Sequence, residues 1–168
     1  MKKIVFLGVL IGIFSIGVVA QKREPSKPLR PYIVKTNQSV ADLEKSLQGG
    51  NKVEDLIGGE GMQLRVAIQH DEKKDTAEAE LHDASDDVYY VLDGSAELTL
   101  GGTLDNPREA SPGEWKSPKI IGGQTFTIKK GDLIVVPRGT PHQRINTKGK
   151  TFSLILIKIF AEPLPPKK

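Results

Sequence analysis

His142 follows a turn-forming segment, Pro137-Arg138-Gly139-Thr140-Pro141, and stands four residues before Asn146, so a titratable imidazole sits where the backbone is tightly constrained. The surrounding stretch, Gly131 to Asn146, reads G-D-L-I-V-V-P-R-G-T-P-H-Q-R-I-N. Asp132 to Val136 is a short apolar run with strand propensity. Pro137 fixes one φ, and Gly139 supplies the positive φ that the turn calls for. Thr140 to Asn146 then begins a second strand, and the two-residue period puts His142, Arg144 and Asn146 on one face. An imidazole held this way is suited to binding a metal or moving a proton.

The spacing of Gly131, Pro137, Gly139, His142 and Asn146 resembles the second sequence motif of the cupins at each defining position. The resemblance implies an all-β fold, the cupin double-stranded β-helix (jelly-roll) barrel, here with a short N-terminal helix. The family's first motif is matched in part, aligning as Glu80, His82, Asp87 and Gly94, with Glu80 in place of a histidine and Asp87 in place of a glutamate. In that alignment residues 80 and 82 share a strand face, and Asp87 opens the next strand, where it can face His142. Glu80, His82, Asp87 and His142 form a mixed oxygen and nitrogen donor set that suits a divalent transition metal: Fe, Mn, Zn or Ni. Two ionised carboxylates would match the charge of such an ion. The alternative is a metal-free barrel in which Arg144 pairs with Glu80 or Asp87. Tyr89, on the Asp87 face, and Arg144 are the candidate catalytic residues that would orient a substrate. His70 ends the preceding strand and reads more as a satisfied or surface residue than as a ligand.

The elements that must carry these residues are short. Ser39 and Asp42 resemble a capping box before Val40, Leu43 and Leu47, which predicts one short helix ended by Gly49-Gly50. Strands are expected at 62–70, 77–81, 88–92, 96–100, 125–128, 133–136, 142–146 and 152–160, a number that suits a sandwich or small barrel. Val135, Phe152, Leu154 and Leu156 read as core, and Tyr90 as outward. Gly101 to Gly123 reads as a long loop whose Trp115 either covers one end of the barrel or forms a lid over a ligand or partner.

At the N-terminus, Lys2 and Lys3 precede an apolar run from Ile4 to Val19 and the small-residue site Val18-Val19-Ala20, the pattern of a signal peptide over residues 1–20. The run is too short to serve well as a membrane anchor, so export to the periplasm or outside the cell is expected. An extended, Pro-rich charged linker over 21–36, a cupin domain over 37–162 and a Pro/Lys tail over 163–168 complete the organisation. The 168 residues carry a formal charge of +3 and no cysteine. Acids and bases are interspersed, so nothing favours nucleic acid as a partner.

No nucleophile motif or phosphate loop is present, which leaves two readings. One is an exported cupin with a divalent metal acting on a small organic molecule, of the oxygenase, isomerase or lyase type. The other is a metal-free, non-catalytic small-ligand-binding cupin. Phe152 to Phe160 is apolar on both alternating faces, so its second face needs the helix or another subunit. A homodimer is the expectation.

Overall fold

A computed structural model describes residues 24–28 and 30–165; the segment 1–20 read as an export signal lies outside them. The chain divides into residues 1–32 and Ile33–Lys168. In the first unit the described residues are exposed and have no helix or strand. Among the described residues no helix is long and apolar enough to cross a membrane.

The second unit opens with helix α1 (Asn37–Leu47), where the Thr36 hydroxyl accepts the Ser39 backbone N–H at 3.1 Å. Thr36, rather than Ser39, is therefore the N-cap; Ser39 already lies in the first turn. Leu47 is the buried residue of the helix, which packs on β1 (Lys52–Ile57) and β2 (Leu64–Asp71).

Ten more strands follow: β3 (Ala79–His82), β4 (Ser85–Leu100), β5 (Thr103–Leu104), β6 (Arg108–Ser111), β7 (Glu114–Ser117), β8 (Ile120–Ile121), β9 (Gln124–Lys129), β10 (Leu133–Val136), β11 (His142–Asn146) and β12 (Phe152–Phe160). Every pairing among the described strands is antiparallel, and β4 is the spine. Its first half lies between β12 and β10, and its second half between β11 and β9. Beyond β12 come β2 and β1; beyond β11 come β3, β7 and β6.

Gly94 makes this change of partners possible. Its φ is +82°, and a Cβ there would collide with the Thr151 carbonyl oxygen, so only glycine lets β4 turn where β12 begins. The strands expected at 88–92 and 96–100 are thus two arms of one bent strand. Both halves face a core of Tyr89, Val91, Ala96, Leu98, Ile128, Val136, Phe152, Leu154 and Leu156.

Several expectations need correction. Val135 is 59% exposed, because Ile134 and Val136 take the inward positions of β10. The segment 101–123 is not a loop but holds β5 to β8, and β7 is an internal strand between β3 and β6. β1 lies outside the strands expected from sequence. The start of the C-terminal tail is pinned: Leu164 accepts the Gly61 N–H at 2.9 Å and donates to the Met62 carbonyl at 2.9 Å.

Candidate metal centre

The turn before β11 is fixed from three sides. Arg138 donates from its backbone N–H and Nε to Asp86 Oδ1 at 2.8 and 3.0 Å, and from Nη2 to Asp86 Oδ2 at 2.7 Å. These contacts hold the half-buried Asp86 carboxyl down at about 2. Gly139, at φ +76° as its place in the turn requires, donates to the His82 carbonyl at 2.8 Å, which ties the turn to β3. Two residues later, His142 Nδ1 lies 3.0 Å from the Thr140 carbonyl oxygen. A carbonyl only accepts, so Nδ1 carries the hydrogen and Nε2 keeps a lone pair.

Register then brings β3 alongside. His142 is directly opposite Glu80, and one atom each from Glu80, His82 and His142 fit within 4.8 Å of one another. The His82 and His142 ring centroids are 5.0 Å apart. Both histidines are at most 5% exposed. His82 Nε2 is buried, and its nearest acceptor is Asp87 Oδ2 at 3.4 Å. These residues fit a divalent cation, with two nitrogens and a carboxylate oxygen converging from two strands.

β7 supplies the partners that sequence reading missed. Glu114 is the cross-strand partner of His82, and Lys116 that of Glu80. Glu114 Oε2 lies 2.5 Å from His82 Nδ1, the contact that turns Nε2 inward. Lys116 Nζ is 2.6 Å from Glu80 Oε1. The alternation Glu114-Trp115-Lys116, matching Glu80-Leu81-His82, is the available signal, and the flanking Pro112 and Pro118 mask it. Trp115 pairs with Leu81 on the opposite face and donates from Nε1 to Asp83 Oδ2 at 2.7 Å. It is outside the lining of this cavity, so the lid reading does not hold there.

Asp87 adjoins the cluster without joining it. Its Oδ2 is 3.4 Å from His82 Nε2 and accepts the Tyr89 hydroxyl at 3.0 Å, while its Oδ1 is 2.8 Å from Lys158 Nζ. Lys158 is its direct register partner on β12. Arg144 pairs with neither Glu80 nor Asp87; its Nη2 is 2.6 Å from Asp71 Oδ2, and its guanidinium lies over the rings of Phe152 and Tyr89 at 5.0 and 5.6 Å. Asn146 shares the face as expected, but its amide donates to the Asp71 carbonyl at 3.0 Å and serves the scaffold. His70 lies off the cavity, with Nδ1 2.8 Å from the Ser153 hydroxyl.

These neighbours separate the titrating groups. Burial pushes Asp87 up, but His82 and Lys158 outweigh it and hold the carboxyl at about 2. Burial pushes His82 down, yet Asp87 and Glu114 leave it above its ordinary range. Burial keeps His142 below the usual range despite the Thr140 carbonyl. Glu80 is raised by burial and lowered further by Lys116, for a net fall. Burial and Asp87 lift Tyr89 well above the usual phenol, so it stays protonated.

No protein-family model matches the chain, and no curated protein does. Solved structures do match. A Bacillus halodurans protein is 18% identical with a TM-score of 0.54, over 83% of this chain and 88% of its own. An uncharacterized conserved protein with a double-stranded β-helix domain from Klebsiella pneumoniae is 17% identical with a TM-score of 0.50, over 77% of this chain and 96% of its own. The cupin domain of Schizosaccharomyces pombe Cnp3 also matches, at 18% identity and a TM-score of 0.47, over 67% of this chain and 66% of its own. Together with the bent-spine topology, the likeness to the Klebsiella pneumoniae protein shows the fold as a double-stranded β-helix. Identity at this level speaks to the fold, and the chemistry rests on the residues of the site.

Proposed function

We propose that this is an exported cupin that holds one divalent transition metal between Glu80, His82 and His142 and uses it to bind and activate a small organic molecule. The observation carrying the reading is the convergence of one donor atom from each residue within 4.8 Å, both imidazoles being buried. A bound metal would supply Lewis acidity at this wall of the cavity. The chain's own residues do the rest. Thr140 and Glu114 fix the imidazole tautomers, and Tyr89 and Lys158 hold Asp87 as an anion beside His82. Elemental analysis of purified protein is the first test. About one equivalent of Fe, Mn, Zn or Ni in the wild type, lost in His142→Ala, supports the reading; a wild type that holds none after incubation with each ion overturns it.

One observation favours the second reading, a metal-free small-ligand-binding barrel. Glu80 and Asp87 each have a lysine within 2.8 Å, so their charges are compensated without an ion. The two acids are thus not waiting to neutralise a metal, contrary to the charge argument from sequence. The convergence of two buried imidazoles and a carboxylate oxygen on one point favours the metal. Export through residues 1–20 and dimerisation through the outer sheet face complete the proposal.

A further inference from the structure

The cavity beside the three donors measures about 130 Å³ and is lined by Lys74, Glu80, His82, Asp87, Arg144 and Lys158 among others. That volume is well below the range of about 300–1,000 Å³ typical of drug-sized ligand sites, so an occupant has only a few non-hydrogen atoms.

The charges are more informative than the size. Asp71, Glu80 and Asp87 are paired with Arg144, Lys116 and Lys158 at 2.6, 2.6 and 2.8 Å, and Glu78 at the rim with Arg108 at 2.7 Å. Glu114 beside His82 brings one more acid, and Lys74 one more cation, so the fixed groups balance. A divalent ion in the centre then leaves two positive charges in a half-buried cavity. Whatever enters must bring negative charge, since water screens such groups poorly once they are buried.

Two groups mark where that charge would rest. Arg144, with a side chain 8% exposed, keeps Nε buried and without an acceptor, because only Nη2 reaches Asp71. Lys74, on the segment between β2 and β3, makes no ion pair or side-chain hydrogen bond among the described residues, although it too lines the cavity. A carboxylate suits this pair of donors, since it accepts several hydrogen bonds at once and arginine presents its own in a plane.

We infer that the ligand of this cavity is a small organic carboxylate, about the size of a two- to four-carbon acid, with its carboxylate between Lys74 and Arg144 and a second oxygen turned toward Glu80, His82 and His142. The inference rests on the proposed metal centre for that second contact. It adds a substrate class that the fold does not specify.

The test is calorimetric titration of zinc-loaded protein with glycolate and with glycolamide, which has the same shape and no charge. Glycolate is expected to bind at least tenfold more tightly, and Lys74→Gln to remove most of that preference while leaving the melting temperature unchanged. Arg144→Lys is a second variant, valid only if its unfolding midpoint is preserved. Equal binding of the two compounds to zinc-loaded wild type, or an unchanged preference in Lys74→Gln, overturns the inference without touching the metal reading. If the wild type takes up none of Fe, Mn, Zn or Ni, the metal reading fails, and the same titration of metal-free protein decides the inference; if it takes up another of these ions and not zinc, that ion replaces zinc in the titration. A Lys74-dependent preference for glycolate upholds it there, and no preference overturns it.

Discussion

His82 and His142 have similar burial but opposite surroundings, and the difference is measurable in metal-free protein. His82 has carboxylates on both sides, Glu114 at Nδ1 and Asp87 near Nε2, whereas His142 has a backbone carbonyl and a neighbouring imidazole. NMR titration of the ring protons should therefore find His82 titrating above the ordinary histidine range and His142 below it. The signs for stability follow. The raised His82 contributes stability that is present below its unfolded pKa and lost as pH rises through its folded one. The depressed His142 contributes stability present above its unfolded pKa and lost as pH falls through its folded one. The reverse order of titration would contradict the assigned environments. Glu114 gives a second test: Glu114→Gln should weaken metal binding by about 10- to 100-fold, the usual cost of losing a partner that orients a ligating histidine. Unchanged affinity in a competition assay with a chelator would show that Glu114 does not position His82.

At the scale of elements, the site depends on two glycines and one short strand. Gly139→Val should lower stability by about 1–3 kcal/mol, since valine is forced to φ +76° in open space where no collision adds to the strain. Gly94→Ala should cost more, because the added methyl meets the Thr151 backbone as well. Chemical denaturation of both variants checks the order, and equal midpoints would argue against the bent spine. The His142 turn was legible in the sequence because its proline, glycine and histidine act locally, each through its own backbone geometry. β7 was not. Its residues Glu114 and Lys116 acquire meaning only by lying opposite His82 and Glu80, and the prolines around them imitate a loop. The partners of Arg144 and Asp87 were missed for the same reason. Strand parity gave their face, while the long-range register that brings Lys158 to Asp87, and the fold that brings Asp71 to Arg144, is set by the whole sheet.

For the whole molecule, the strand arithmetic that raised the question of a partner leads to a specific surface. Helix α1 packs on β1 and β2, and the next strands leave apolar side chains open: Tyr90 is 43% exposed, Leu133 67%, Val135 59% and Ile159 43%. Leu133 faces Tyr90 across β10 and β4, and Tyr90 faces Ile155 across β4 and β12, so the patch is continuous. A patch of this kind suits a two-fold contact with a second copy. Sedimentation of the protein at micromolar concentration should give a dimer, and Leu133→Asp should shift it to monomer. A monomeric wild type would contradict the dimer and leave the metal centre unaffected.

The position of the ion can be read from a crystal structure of the manganese-loaded protein with an anomalous difference map. One strong peak is expected between Glu80, His82 and His142, adjacent to His82 Nε2 and His142 Nε2 and without Asp87 as a necessary ligand. A map with no peak there, or with the manganese bound at other residues while Glu80 stays on Lys116, would contradict this placement.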